Sequence, residues 1–81
     1  MTMNHIYKGF RAMILPEMES TESRLKRGDW RSLIVGYRYI ARYRGRICFS
    51  VGYDSEVGIL PTVEDTITDF ENRVDAILDS L

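Results

Sequence analysis

From Leu33 to Tyr53 the chain keeps a period of two. Leu33, Val35, Tyr37, Tyr39, Ala41 and Tyr43 alternate with other residues, and after Arg44-Gly45-Arg46 the alternation resumes at Ile47, Phe49, Val51 and Tyr53. Side chains two apart share a face only on extended backbone, so this stretch is incompatible with a helix and reads as a β-hairpin. A three-residue loop that pairs Tyr43 with Ile47 also sets Ala41 opposite Phe49 and Tyr39 opposite Val51, all on one face. Arg38, Ile40 and Arg42 then lie on the other face, across from Cys48, Ser50 and Gly52. A two-residue turn at Arg44-Gly45 would instead put Ile40 opposite Phe49 and mix Arg42 with Ile47, so the three-residue loop is the expectation.

The remaining segments are assigned around that hairpin. Ile6 to Leu15 is expected to form one strand, with Ile6, Phe10, Ala12 and Ile14 on one side and Tyr7, Gly9, Arg11, Met13 and Leu15 on the other. Pro16 to Asp29, rich in Glu, Ser, Thr, Lys and Arg, has the character of an insertion. Inside it Met18, Glu22 and Leu25 are helically spaced and Gly28 suits a position just past a helix end, which gives a short helix over Thr21 to Arg27. Pro61-Thr62-Val63-Glu64-Asp65 is a helix start, with Thr62 as N-cap and two carboxylates in the first turn, where the helix dipole favours anions. Val63, Ile67, Phe70, Val74, Ile77, Leu78 and Leu81 make an apolar stripe running to about Ser80. The expected architecture is α+β: one domain over residues 1–81, a three-stranded antiparallel sheet with the C-terminal amphipathic helix packed on one face, β-β-β-α.

Composition narrows the function classes. With 44% apolar and 28% charged residues the 81-residue chain has the balance of a folded domain rather than a disordered one. One cysteine cannot form an internal disulfide, and one cysteine with one histidine excludes a zinc finger or ribbon, so no metal or cofactor is expected. No apolar run reaches the roughly 18 residues of a membrane span, and Asn4, His5 and Lys8 interrupt any signal-peptide core, which gives a cytoplasmic expectation with no membrane partner. The six glycines form neither a P-loop nor a GxGxxG, and a Cys48 to His5 pairing has no support as a nucleophile and base. The expectation is a protein that binds rather than catalyses.

Charge is divided along the chain. Residues 1–53 hold ten Lys or Arg against four acids, net +6, and residues 54–81 hold one Arg against eight acids, net −7. Two surfaces follow. Glu64, Asp65, Asp69, Glu71, Asp75 and Asp79 would line the exposed face of the last helix, spaced somewhat like phosphates. They could occupy a cationic nucleic-acid channel by charge mimicry, as some anti-CRISPR and anti-restriction proteins do. Arg38, Arg42, Arg44 and Arg46, interleaved with Tyr37, Tyr39 and Tyr43, would form a basic hairpin able to track phosphates or to grip an acidic protein. The bland alternative is that sheet and helix complement each other at a shared rim, with the tyrosines in the core and the arginine heads in water. Trp30, flanked by Arg27 and Arg31, is either a binding hot spot or a cap on the small core.

Tyr7-Lys8-Gly9-Phe10, followed by a hairpin and then by Thr62-Val63-Glu64-Asp65-Thr66-Ile67-Thr68-Asp69-Phe70-Glu71-Asn72-Arg73-Val74-Asp75-Ala76-Ile77-Leu78, resembles HicB-type antitoxins, which carry a partial ribonuclease-H-like module. The arrangement is also similar to small phage and plasmid proteins. The chain departs from that pattern in the long insertion after the first strand, in its basic hairpin tip and in having no attached helix-turn-helix. The resemblance implies a partner-binding inhibitor or antitoxin-like module from a mobile element, acting on a protein complex such as a nucleic-acid-binding effector. Direct nucleic-acid binding through the arginine hairpin is the alternative. Homodimerisation through an uncovered sheet face or edge, with Met13, Leu15 and Tyr7 as candidates, is a further expectation.

Overall fold

The computed structural model describes residues 2–53 and 58–81. Its elements run β1 (Met3–Tyr7), β2 (Phe10–Met18), α1 (Thr21–Arg27), β3 (Ile34–Tyr43), β4 (Arg46–Val51) and α2 (Val63–Asp79). The strands form one antiparallel sheet in the order β1-β2-β3-β4. The α+β class and the terminal helix agree with the sequence expectation, but the sheet has four strands rather than three.

The extra strand arises at Lys8-Gly9. Both residues have positive φ, +50° and +85°, and this places Tyr7 directly opposite Phe10 across a two-residue turn. Such a turn matches the right-handed twist of the flanking strands. It also shifts the alternation by one, so the expected grouping of Ile6 with Phe10 fails. Ile6 instead pairs with Arg11 on the uncovered face and is 65% exposed, while Tyr7 turns toward α2. Tyr7 therefore does not share a face with Met13 and Leu15.

The second hairpin is likewise corrected at its tip. Arg44 and Gly45 have φ of +51° and +80°, and Tyr43 pairs with Arg46 across a two-residue turn instead of with Ile47. Arg42 then faces Ile47, yet Ala41 still faces Phe49 and Tyr39 still faces Val51. A bulge between the two registers leaves Cys48 without an opposite residue and absorbs the slip. The tight turn and the apolar pairing, mutually exclusive in a regular ladder, thus coexist.

Strand β2 continues through Pro16 to Met18, further than the alternation indicated. Among the described residues β1 pairs only as far as Ile14, so Pro16 stands where one side of β2 has no strand partner and a missing N–H is tolerated. Helix α1 falls on the expected residues. The Ser20 side chain caps its N-terminus and Gly28, at φ +76°, closes its C-terminus.

The core lies between the sheet and α2. Phe10, Ala12, Ile14, Tyr39 and Ala41 are buried from the sheet, and Thr66, Phe70 and Val74 from the helix. Ala12 and Ala41 are paired, so the middle of the sheet presents only methyl groups to the helix and allows close approach. The Phe70 ring meets Tyr39 and His5 edge to face at 5.8 and 6.0 Å. Full burial of a side chain such as Phe70 or Val74 contributes roughly 1.5–3 kcal/mol. Thr66, the one buried polar residue among those described, donates its hydroxyl to the Thr62 carbonyl at 2.8 Å and is satisfied.

Helix α2 lies along the sheet rather than across it. Val63 shares a cavity with Met3, Ile14, Pro16 and Tyr37, while Ile77, Leu78 and Leu81 share one with Phe10 and Tyr43 near the hairpin turns. Its 17 residues span roughly 26 Å, close to the roughly 30 Å of nine-residue β2. The molecule is consequently long, 50 × 21 × 20 Å, with the two hairpin turns at one pole and α1 at the other.

Candidate functional site

The six acids of α2 divide into two groups. Asp69 accepts from the Tyr39 hydroxyl at 2.7 Å and from Arg73 Nε at 2.8 Å. Glu71 meets His5 Nε2 at 2.8 Å, and Asp75 accepts from the Tyr7 hydroxyl at 3.0 Å and from Lys8 Nζ at 2.7 Å. Half of the expected acidic face is therefore engaged: Glu71 and Asp75 tie the helix to β1 and its turn at one edge of the sheet, and Asp69 ties it to Tyr39 of β3. Glu64, Asp65 and Asp79 are exposed, but they stand at the two ends of the helix and form no row.

These contacts shift the groups that make them. Burial, reinforced by Asp69, pushes the Tyr39 phenol well above its ordinary value. The hydrogen bond from Lys8 holds the Asp75 carboxyl below the usual carboxylate range, and Asp75 in turn holds the Lys8 ammonium above its own.

The basic hairpin divides too. Tyr37 and Tyr39 face α2, Tyr39 being fully buried, while Arg38 and Arg42 lie on the opposite face. The interleaved residues are thus not one surface, and the two tyrosines cannot stack on anything the arginines hold. Arg38 is engaged: its guanidinium donates to Glu17 at 2.7 Å and lies 5.0 Å from the Tyr53 ring. Arg42, Arg44 and Arg46 have no carboxylate in ion-pair range among the described residues, nor does Arg11, which the register puts opposite Arg42. Sequence reading passed over Arg11 because its place beside Arg42 is set by the register of β2 on β3, two strands joined through the insertion rather than by a short turn.

At the other pole the insertion is held by one residue. The Glu19 N–H donates to the Leu33 carbonyl at 2.8 Å, and the Glu19 carboxylate accepts from the Leu33 N–H at 3.0 Å. The same carboxylate, only 6% exposed, receives Arg27 and the Ser23 hydroxyl. Arg27 in turn bonds Asp29 at 3.0 Å and the Arg31 carbonyl at 2.6 Å. Glu19 is held below the usual carboxylate range chiefly by Arg27, and Asp29 chiefly by the Arg31 N–H with help from Arg27. Arg27, expected as part of a hot spot, spends its hydrogen bonds inside this clasp.

What the clasp presents is Trp30. The indole is 78% exposed, so Trp30 does not cap the core; the Arg31 guanidinium lies 5.3 Å from the ring and Arg24 donates to the Trp30 carbonyl at 2.6 Å. Met18, Leu25, Leu33, Ile34 and Val35 are each about half exposed or more at the same pole. Arg24 and Arg31 have no ion-pair partner among the described residues.

Among the described residues no three of His, Cys, Asp and Glu gather closely enough to hold a metal ion, and no helix is long and apolar enough to cross a membrane. Set against protein-family models, curated proteins and solved structures, the chain matches none.

Proposed function

We propose that this chain is a small protein-binding protein, an inhibitor or antitoxin-like module of the kind carried by phages and other mobile elements, and that it works by occupying its partner rather than by catalysis. The observation that carries the reading is the exposure of Trp30 on a clasped, pre-shaped loop, among aliphatic side chains and beside Arg24 and Arg31, which have no ion-pair partner among the described residues. Tryptophan and arginine are the residues most enriched among binding hot spots, and a pre-ordered loop lowers the entropy lost on docking. Apolar exposure gathered at one pole of a small protein is the signature of an interface. Arg24 and Arg31 fit a partner pocket with an acidic rim, which is charge complementarity. Mimicry by α2 is less well supported, since Asp69, Glu71 and Asp75 are already engaged by the sheet. The resemblance to HicB-type antitoxins agrees in kind.

The test is affinity capture from a bacterial lysate, with and without nuclease, using the wild type, Trp30→Ala and the tip variant Arg44→Glu/Arg46→Glu. The expected outcome is a defined protein partner that survives nuclease, is kept by the tip variant, and binds Trp30→Ala roughly 30-fold more weakly, the scale of a hot-spot truncation. Loss of the captured material on nuclease treatment would transfer the role to nucleic acid and the arginine tip. Full retention by Trp30→Ala would remove the α1 pole from consideration.

A further inference from the structure

Helix α2 covers one face of the sheet, and among the described residues no element packs on the other. The register orders that open face in rows across the strands. Near the hairpin turns Ile6 stands opposite Arg11, Arg11 opposite Arg42 and Arg42 opposite Ile47, so two arginines of the central strands lie between two isoleucines at the edges. Ile6 is 65% exposed and Ile47 61%. The next row sets Met13 opposite Ile40, and Leu15 follows on β2, all three half-buried. Like charges placed directly across a strand pair are destabilising, and Arg11 and Arg42 have no carboxylate in ion-pair range among the described residues. Glu17 is the only acid in the four strands, and Arg38 holds it at 2.7 Å. The open face is thus apolar along its middle and positive at one end, with no acid of its own left to neutralise that charge.

An apolar sheet face is normally buried against a second layer. A second copy stacked face to face would bring the same cations and no free acid, so charge complementarity selects a partner that carries carboxylates. Helix α2 shows the form such a partner takes: its apolar stripe sits on the sheet while Glu71 and Asp75 on its flank reach His5 and Lys8. The axes of four strands span roughly 14 Å and a helix with its side chains is about 10–12 Å across, so one helix fits between Ile6 and Ile47. We propose that the open face binds an acidic amphipathic helix of a partner protein, its apolar stripe lying on Met13, Leu15 and Ile40 and its carboxylates pairing with Arg11 and Arg42. Carboxylates set over the two arginines relieve their mutual repulsion, which favours an acidic helix over a neutral one of the same apolar stripe. This surface is distinct from the one at Trp30, which stands at the α1 pole.

The experiment is a selection on the immobilised full chain from a displayed library of helical peptides about 20 residues long, roughly 30 Å as helices. Leucine is fixed at the i, i+3, i+4, i+7 spacing, and the other positions are drawn evenly from Asp, Glu, Lys, Arg, Ser and Ala. The peptides selected should be enriched in Asp and Glu beside the leucine stripe. Added to the wild type, they should move the amide NMR signals of Ile6, Arg11, Met13, Ile40 and Arg42 rather than those of residues 20–33. Affinity should fall roughly tenfold or more in Arg11→Gln/Arg42→Gln, fall in Ile6→Ser/Ile47→Ser, weaken with added salt and stay unchanged in Trp30→Ala. A selection that enriches nothing, or enriches peptides without an excess of acids, overturns the proposal. So do amide shifts confined to the α1 pole, and binding that Arg11→Gln/Arg42→Gln retains in full. A wild type that sediments as a dimer and is made monomeric by Ile6→Ser/Ile47→Ser would give the face to a second copy instead, and displacement of the peptide by oligothymidylate would give it to nucleic acid.

Discussion

Gly36 shows how closely single residues are fitted. It is buried on β3, and a Cβ placed there would meet Ile59 Cδ1 at 2.9 Å and the Leu60 carbonyl oxygen at 3.0 Å. That carbonyl accepts from the Tyr37 N–H at 2.7 Å, and Leu60 donates back to Tyr37 at 2.8 Å, so the segment leading into α2 is fastened to β3 where glycine permits it. The Ile59 side chain could rotate away, but the Leu60 carbonyl cannot move without breaking the bridge. Gly36→Ala should therefore destabilise the protein by about 1–3 kcal/mol, the range for inserting a methyl into a filled space. Urea unfolding would read this as a lower midpoint at an unchanged slope. An unaffected midpoint would mean that the approach of Leu60 to β3 is looser than 3.0 Å.

At the level of elements, α1 depends on its clasp. A helix of seven residues with no buried side chain has little stability of its own, and nucleation disfavours it. Its persistence is assigned to Glu19, which joins both stems of the insertion and receives Arg27 from the last turn. Glu19→Ala should raise amide exchange across residues 20–33 while leaving β2, β3 and α2 protected, because the clasp is outside the sheet–helix core. Uniform loss of protection would show instead that the insertion supports the core. Sequence alone made α1 and α2 legible, since caps, glycine stops and a 3.6-residue stripe are local signals. It did not reveal the Lys8-Gly9 turn, where an αL conformation falls on lysine rather than on asparagine or aspartate and apolar residues on both sides hide the change of phase. The bulge at Cys48 was hidden for a related reason. It reconciles a turn preference with a pairing preference, and either read separately gives a consistent but different register. The exposure of Trp30 was equally out of reach, because the Glu19 clasp that displays it spans 14 residues.

For the whole molecule, the +6 and −7 halves of the chain meet at the β1 edge, where His5 and Lys8 reach Glu71 and Asp75, and this contact together with the α1 clasp sets the response to acid. Asp75 is held below its ordinary value by Lys8 and Tyr7, Glu19 by Arg27, and Asp29 by the Arg31 N–H and Arg27. Each folded carboxyl takes up its proton at lower pH than its unfolded counterpart. The stability these groups contribute is thus complete above the ordinary carboxylate range and is lost as pH falls through the depressed folded values. Lys8 acts in the opposite sense: its raised value adds stability below the ordinary lysine range that disappears as pH rises through the folded one. Urea midpoints should accordingly stay level from pH 7 to roughly 5 and drop below roughly 4. Asp75→Asn keeps the size of the side chain and removes its charge, so it isolates one rim contact. It should lower the midpoint at neutral pH, and the gap to the wild type should close as acid protonates Asp75 in the parent. Parallel curves for the two proteins down to pH 2 would show that the Lys8–Asp75–Tyr7 contact does not join the layers in solution. The opposite charges of sheet and helix would then have to act at long range, and added salt rather than protonation would govern how firmly α2 is held.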